Sequence, residues 1–355
     1  MMFTIEALPA QRGDALWITY GTAEEKHHVL VDAGPSNTID TLVPDLERRI
    51  SALPGRADRV ELLIVTHIDA DHIQGVISLL SDPRRVPLFR DVWFNGWKHV
   101  SETLGGVDAE RLTAVLEQHP DHWNAAFDGN AVMIPDAGEL PVLQLAGGMT
   151  ITVLAPDAAA LRKLAPKWEA EVRKAGLVPG EGAPIVRARW IRDELLGGFE
   201  PDLLAGARFS SDPSAPNGAG ISVIAEWGGK RALLLGDSPP RPILAALDRL
   251  EPRPHRFDVV KMSHHGSRRN TDLAFAEAVQ SPKWLVSTDG AIFGHPDAEA
   301  LARVVVSQRR RPTFYVNYAT EHIADIVDAA GERFRVKLPR RRGDGTHAEG
   351  ITVTV

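Results

Sequence analysis

Residues 61–72 have the sequence ELLIVTHIDADH, in which an apolar run leads directly into four potential metal ligands. The run Glu61–Thr66 is predicted to be a buried strand. The apolar positions after it recur at the spacing of an amphipathic helix: Ile73, Val76, Ile77 and Leu80. A strand, a polar loop and a helix in this order place the cluster at the carboxyl end of a strand, where open α/β sheets usually carry their sites.

The four polar residues of this cluster are His67, Asp69, Asp71 and His72. Packed together without compensation, they would cost free energy through mutual repulsion and desolvation. A divalent cation removes that cost, and imidazole with carboxylate suits Zn²⁺ or Mn²⁺. A solvated loop that caps the following helix would explain Asp71, but it would not explain two histidines and a second aspartate. The pattern therefore predicts a metal site.

Polar residues follow three further predicted strands. Asp237 closes an apolar hairpin strand and is well placed to bridge two ions. His264 and His265 stand together in Ser263–Ser267, and we expect one of them to bind metal and the other to orient or to contact phosphate. His295 follows a later strand in the same way. Each of these residues alone would more often be a turn or surface residue. They are candidate ligands because polar residues recur at the ends of several predicted strands.

Two further features have competing interpretations. Asp32 follows the apolar run HVLV and is a candidate to hydrogen-bond a metal ligand or its loop, although a plain turn aspartate is nearly as good an interpretation. Arg268 and Arg269 stand beside the histidine pair and are candidates to meet a phosphate. The other arginine runs are interpreted as solvated faces, as charge runs usually are.

The chain divides into two regular parts and a looser middle. Strands and helices alternate over about residues 1–95 and again over about 218–355. The segment of about 96–217 is predicted to be an inserted, partly irregular segment. Its stretch 176–217, rich in Gly, Pro and Arg, is predicted to shape a substrate groove; a packing arm without function explains this stretch equally well. Two halves that pack sheet against sheet with helices outside predict one α/β domain over 1–355, a four-layered αββα sandwich.

The composition limits the classes of function. The chain has 355 residues, 44% hydrophobic and 25% charged, as in ordinary globular proteins. It has no cysteine, which excludes disulfides, cysteine-bound zinc, Fe–S clusters and thiol catalysis. Its net charge of −7 argues mildly against non-specific duplex binding. No signal-peptide pattern and no long apolar run stand out, so we expect a cytoplasmic protein without a membrane partner. The oligomeric state is not predictable from these features.

Taken together, the motifs resemble the metallo-β-lactamase superfamily, and within it the soluble hydrolase domain of the DNA-uptake competence protein ComEC and its stand-alone relatives. The matching elements span most of the chain apart from the middle segment. They are Gly13-Asp14-Ala15, Val31-Asp32-Ala33-Gly34, Thr66-His67-Ile68-Asp69-Ala70-Asp71-His72, Leu235-Gly236-Asp237, Ser263-His264-His265-Gly266-Ser267 and Gly294-His295-Pro296.

Two departures from the usual superfamily pattern affect one of the two metal sites. The usual first motif is His-x-His-x-Asp-His, and Asp69 stands here in place of its second histidine, as in the ComEC-like group. The more oxygen-rich ligand set shifts the expected preference towards Mn²⁺. The third-motif histidine is missing, and Asn217 stands near its place. We therefore expect this site to be weak or to fill only with substrate.

The resemblance implies two divalent metal ions, Zn²⁺ or Mn²⁺, and a role for each motif residue. The implied ligands are His67 and Asp69 for one ion, Asp71 and His72 for the other, Asp237 as the bridge, and His265 to complete a site. His264 and His295 would line the pocket or supply a further ligand. With Asp71, they are the candidate catalytic residues: Asp69 or Asp71 would share the nucleophile's proton, and a histidine would stabilise charge or protonate the leaving oxygen.

The function predicted on these grounds is metal-dependent hydrolysis of a phosphodiester, with a nuclease acting on single-stranded DNA or RNA as the leading form. A small-molecule phosphodiesterase acting on a nucleotide signal, a lactonase and a thioesterase are alternatives within the hydrolases. A non-catalytic regulatory protein that keeps the fold and uses metal structurally is the alternative outside them.

Overall fold

The computed structural model describes residues 1–55, 59–100, 107–174, 201–330, 332–343 and 349–355. The strands of this part of the chain are β1 (Met2–Ala7), β2 (Leu16–Gly21), β3 (Lys26–Val31), β4 (Leu62–Ile64), β5 (Val92–Trp93), β6 (Val142–Gln144), β7 (Thr150–Ala155), β8 (Ser222–Trp227), β9 (Lys230–Leu234), β10 (His255–Arg256), β11 (Val259–Lys261), β12 (Val279–Gln280), β13 (Lys283–Val286), β14 (Thr313–Val316), β15 (Arg335–Lys337) and β16 (Ile351–Thr354). The α-helices are α1 (Ile39–Ser51), α2 (Ala70–Leu80), α3 (Trp97–Val100), α4 (Val107–Leu116), α5 (Ala158–Lys174), α6 (Pro201–Ala205), α7 (Ala215–Gly218), α8 (Pro240–Leu250), α9 (Leu273–Ala278), α10 (Ala298–Ser307) and α11 (Glu321–Ala330).

The strands form two large mixed sheets and one small strand pair. The first sheet has the order β16-β1-β2-β3-β4-β5, and the second has the order β15-β14-β13-β11-β9-β8-β7-β6. In the first sheet β3, β4 and β5 run parallel, and in the second sheet the five strands from β9 to β15 do so. Parallel neighbours end at the same edge of a sheet, so the loops that follow them gather there.

The apolar run before the first metal motif is buried on both faces. Leu62 and Ile64 of β4 lie in the core that includes the inner faces of the two sheets. Leu63 and Val65 point to the other face, where they pack into a second core with apolar residues of α1, α2, α4 and α5. A strand between two cores must be apolar at every position, which explains the continuous run in the sequence.

The second sheet is covered on its outer side by α8, α9 and α10, whose apolar residues pack into the same core as its strands. The predicted αββα arrangement is therefore confirmed: two mixed sheets lie between layers of helices. The two long amphipathic helices predicted around the first motif are also present, as α1 and α2.

The middle segment contributes strands and helices to both halves of the fold. Strands β6 and β7, from the predicted segment 96–217, extend the second sheet by pairing β7 with β8. Helices α4 and α5, from the same segment, help to cover the first sheet. Residues 175–200, which include much of its Gly-, Pro- and Arg-rich part, lie outside the described residues. Strand β16 also returns from the C-terminal half to pair with β1.

Among the residues that the structure describes, none of the helices is both long and apolar enough to cross a lipid bilayer.

Candidate metal centre

The first motif joins the end of β4 to the start of α2. Asp69 is the extended residue that precedes the helix, and its carbonyl oxygen accepts the His72 backbone N–H at 3.0 Å. His67 and Asp69 therefore lie in the loop, while Asp71 and His72 lie in the first helical turn. This sharp change from strand to helix brings all four side chains to one edge of the first sheet.

The second group of side chains comes from the facing edge of the second sheet. Asp237 follows β9 through Gly236, which has a φ of +50° and lies against Thr66. His264 and His265 form a short 3-10 turn after β11, and both have positive φ values, 48° and 54°. Non-glycine residues in this conformation are uncommon and cluster at functional sites.

Four imidazole rings converge on one carboxylate oxygen, Asp237 Oδ2. The distances from this oxygen to the four Nε2 atoms are 3.4 Å for His72, 3.7 Å for His67, 3.8 Å for His264 and 3.8 Å for His265. The four nitrogens therefore surround this oxygen at distances longer than those of a normal N–H···O hydrogen bond.

The two remaining motif carboxylates complete the ring of donor atoms. Asp69 Oδ2 lies 3.6 Å from His67 Nε2, and Asp71 Oδ2 lies 3.6 Å from His265 Nε2. Two ligands of one tetrahedral ion, each about 2.0–2.2 Å from it, lie roughly 3.3–3.6 Å apart. The observed distances are close to those of ligands that share an ion.

The chemistry of these donors fits divalent metal ions. The Nε2 atoms of His67, His72 and His265 and the Oδ1 atom of Asp237 are buried without a hydrogen-bond partner. An unsatisfied buried polar atom costs about 1–3 kcal/mol. Such an arrangement is stable when cations satisfy the orphaned atoms, so the residues suit a dinuclear site.

Hydrogen bonds on the far side of two rings leave Nε2 free for a metal. His265 Nδ1 lies 2.7 Å from the Ser287 carbonyl oxygen, which can only accept, so Nδ1 carries the proton. His72 Nδ1 lies 2.8 Å from Asp32 Oδ2 in the same manner. In a neutral ring with a protonated Nδ1, the Nε2 lone pair is available to a cation.

Asp32 holds the first motif from behind. It is fully buried with a φ of 57°, and its carboxylate also accepts the Thr66 backbone N–H at 2.8 Å and the Thr66 hydroxyl at 2.7 Å. The carboxylate thus fixes the ring of His72 and the end of β4 together. Asp32 thus contacts both a candidate ligand and its loop, and its role as a supporting residue stays a prediction.

His264 has supporting residues that the sequence did not single out. Its Nδ1 lies 3.1 Å from Asn270 Oδ1 and 3.3 Å from Asp212 Oδ2. Asn217, predicted near the place of the missing histidine, is buried beside this ring and donates to Asp212 Oδ2 at 2.6 Å. Asp212 lies in the loosely patterned middle segment, where no local signal marks it. For Asn270 the only sequence signal is its position six residues after His264.

A buried ion pair stands behind His265. Lys261 Nζ donates to Asp14 Oδ2, both residues are about 1% exposed, and Asp14 Oδ1 lies 3.5 Å from His265 Nδ1. Asp14 belongs to the Gly-Asp-Ala motif, but neither residue was assigned a role from sequence. The available signal was the charge of Lys261 within the apolar strand β11.

The rings and carboxylates shift each other's pKa values. Burial disfavours the ionised form of Asp237, but the rings of His72, His264 and His265 outweigh it and hold its pKa well below the usual value. Burial also disfavours the imidazolium of His265, yet Asp237 and Asp14 raise its pKa to about 9. Without a metal the cluster therefore attracts protons, and metal binding must release them.

His295 and Arg268 lie at the margin of the cluster. The His295 ring is 5.4 Å from the His264 ring, centroid to centroid, and its Nδ1 is 3.5 Å from Asp297 Oδ2. Burial lowers the pKa of His295. Arg268 is exposed and pairs with Glu299 at 3.1 Å. The structure thus brings His295 beside the candidate ligands and directs Arg268 towards a glutamate.

Gly13 allows the Asp14 loop to approach the first motif. A Cβ at Gly13 would lie 1.8 Å from the Asp71 carbonyl oxygen. We expect Gly13→Ala to lower the free energy of unfolding by about 1–3 kcal/mol, since backbone must move to admit the methyl group. Chemical denaturation measures this change. Gly343→Ala is the control, because a Cβ there meets nothing within 4 Å; equal stability of the two variants would contradict the close approach.

Comparison with known proteins agrees with this geometry. Residues 13–126 match the Metallo-beta-lactamase superfamily. This match contains the first motif, and it is to the superfamily as a whole, so the ComEC-like resemblance stays a prediction. The search of curated proteins found no match.

Several solved structures are similar in fold. The metallo-beta-lactamase fold protein YhfI from Bacillus subtilis has 11% identity and a TM-score of 0.41, with 100% of both chains covered. Zn²⁺-bound PqqB from Methylobacterium extorquens has 13% identity and a TM-score of 0.39, again with 100% of both chains covered. Igni18, a metallo hydrolase from Ignicoccus hospitalis, has 11% identity and a TM-score of 0.40, with 99% of both chains covered. At these TM-scores the three similarities support no statement about the function of this protein.

Proposed function

We propose, from the premise of a metallo-β-lactamase fold whose residues 13–126 match that superfamily, that this protein is a metal-dependent phosphodiesterase with a dinuclear centre. The observation that carries the proposal is the convergence of four imidazole nitrogens on Asp237 Oδ2 within 3.8 Å. One carboxylate among four neutral nitrogen donors is suited to bridge two ions.

In this proposal the first ion is held by His67, Asp69, His264 and Asp237. His264 takes the place of the third-motif histidine that the sequence lacks. Its Nε2 faces Asp237, and its Nδ1 faces Asp212, as in the carboxylate–histidine–metal arrangement of many metal sites. With His264 as a ligand, the first site has a full set of four donors in this proposal, whereas the sequence led us to expect a weak site.

The second ion is held by Asp71, His72, His265 and Asp237. The support is the cluster of Asp71, His72 and His265, whose donor atoms lie within 4.8 Å of one another. Asp32 and the Ser287 carbonyl fix the tautomers of the two rings. Both sites mix imidazole with carboxylate, which suits Zn²⁺ and Mn²⁺.

The two ions, when bound, would lower the pKa of the attacking water and neutralise charge on the phosphoryl oxygens. Asp69 would accept the proton of that water, since it is the most open of the three carboxylates: its side chain is 40% exposed, against 17% for Asp71 and 3% for Asp237. His295, beside His264, donates a hydrogen bond to the leaving oxygen. Asp32, Asp212 and the Ser287 carbonyl hold the ligand rings in place from behind the site.

The substrate class rests on the oxygen-rich ligand set and on the motif resemblance. We propose a nucleic acid, in single-stranded form, as the leading substrate. The net charge of −7 favours a second candidate, a small nucleotide phosphodiester, because a short substrate needs fewer basic contacts than a duplex.

Cleavage assays with protein loaded with Mn²⁺ or Zn²⁺ test this function. Bis-p-nitrophenyl phosphate and labelled single-stranded DNA report phosphodiesterase activity, and a p-nitrophenyl acyl ester with a lactone reports the competing ester classes. We expect turnover of the phosphodiesters, lost in Asp71→Asn and kept in Asp121→Asn, an exposed carboxylate control. Efficient hydrolysis of the acyl ester or lactone with intact phosphodiesters would overturn the proposal.

A further inference from the structure

An exposed aromatic ring lies at the edge of the candidate metal centre. The loop after β13 carries Phe293, whose exposed fraction is 54%. Single exposed apolar residues are common on protein surfaces and need no explanation by themselves. This ring differs in its neighbours, because it is the outer end of a row of rings that leads to a candidate metal ligand.

The row consists of Phe293, His295 and His264. The rings of Phe293 and His295 are stacked, with centroids 6.1 Å apart and planes inclined by 29°. His295 meets His264 edge to face at 5.4 Å. His264 Nε2 then lies 3.8 Å from Asp237 Oδ2. The exposed ring is thus connected by direct ring contacts to the carboxylate at the centre of the cluster.

The loop that presents Phe293 is closed by one internal hydrogen bond and joined to the N-terminal part of the chain by another. Gly290 and Gly294 flank it with φ values of 70° and 67°, and Gly294 N–H donates to the Gly290 carbonyl oxygen at 3.2 Å. Asp289 N–H donates to the Gln11 carbonyl oxygen at 3.0 Å. These bonds close the loop into a compact turn, which holds the ring outward although it gains little from burial.

A ring held beside the candidate metal centre, next to a histidine ring and with over half of its surface open, is suited to stack a flat aromatic group. We propose that Phe293 stacks a nucleobase of the substrate, next to the phosphodiester that the metal cluster receives. This rests on the proposed function and narrows it: the substrate bears a base near the scissile bond. Such stacking tolerates any base and strengthens binding by about 5- to 100-fold per base.

Binding of two oligonucleotides of equal length tests the role of Phe293. One is single-stranded DNA, and the other has the same backbone with abasic tetrahydrofuran sites; fluorescence anisotropy gives the Kd of each for metal-loaded protein, with phosphorothioate links to prevent cleavage. We expect Phe293→Ala to raise the Kd of the base-bearing strand by about 5- to 100-fold and that of the abasic strand by less than about twofold. Phe293→Trp should keep tight binding, and Leu250→Ala, which removes another exposed apolar side chain, should change neither Kd.

Parallel cleavage of unmodified strands separates this inference from the proposed function. Phe293-dependent binding of the base-bearing strand, with neither that strand nor bis-p-nitrophenyl phosphate cleaved, would overturn the phosphodiesterase and keep the stacking role. Cleavage with a Phe293→Ala effect that is equal for both strands, or absent, would overturn the stacking role and keep the phosphodiesterase. Failure of the wild-type protein to bind either strand would overturn the stacking role and the nucleic-acid substrate, and the turnover of bis-p-nitrophenyl phosphate would then decide whether the phosphodiesterase stands.

Discussion

Replacement of Asp237 by asparagine is expected to abolish hydrolysis and to empty both metal sites together. The change keeps the shape of the side chain but removes the charge that faces the rings of His67, His72, His264 and His265. In the proposed centre Asp237 contributes to both ions, so the effect of its loss would not be confined to one of them. We expect kcat/KM to fall by roughly 10³-fold or more, as when one member of an interdependent catalytic group is removed.

Steady-state cleavage of bis-p-nitrophenyl phosphate, run beside elemental analysis, measures both effects. Asp121→Asn is the matched control, because it makes the same chemical change at an exposed position. Circular dichroism of both variants shows whether the fold is retained. A folded Asp237→Asn protein that keeps half of its metal or more than a tenth of its activity would mean that Asp237 does not bridge.

Removal of metal by a chelator is expected to lower the melting temperature markedly. Ions that bind only the folded protein stabilise it by about 2.7 kcal/mol per site at a hundredfold excess over Kd. Loss of the ions from both sites should therefore lower the Tm by roughly 5–15 °C. The physical reason is that buried nitrogens and oxygens without hydrogen-bond partners are left facing one another in the apoprotein.

Differential scanning calorimetry before chelation, after it, and after Mn²⁺ or Zn²⁺ is restored measures this shift. The Asp237→Asn variant serves as the control, because its Tm should respond little to either treatment. A wild-type Tm that is the same with and without metal would contradict the dinuclear site, whatever the activity of the protein.

The parts of this molecule that sequence predicts are those with a local signal. The strand β4, the helix α2 and the four polar residues between them follow from an apolar run, a polar loop and helical spacing within about twenty residues. Asp237 and the histidine pair were recognisable for the same reason, since each directly follows an apolar strand. The layered architecture follows from the alternation of such units.

The parts that sequence misses depend on contacts between distant segments. Lys261 and Asp14 are 247 positions apart, and only the packing of the two sheets brings them together behind His265. Asp212 reaches His264 from the middle segment, in which the pattern is loose. No local sequence pattern predicts the pairing of β7 with β8 or of β16 with β1 either. Likewise, only the hydrogen bonds of His72 Nδ1 and His265 Nδ1 indicate that Nε2 is the nitrogen left for a metal in these two rings.

Elemental analysis of protein equilibrated with Mn²⁺ or Zn²⁺ and freed of excess metal gives the number of ions bound per chain. We expect about two ions per chain, as in dinuclear hydrolases. A content of one ion or none, with either metal, would contradict a centre in which four histidines share two ions across Asp237.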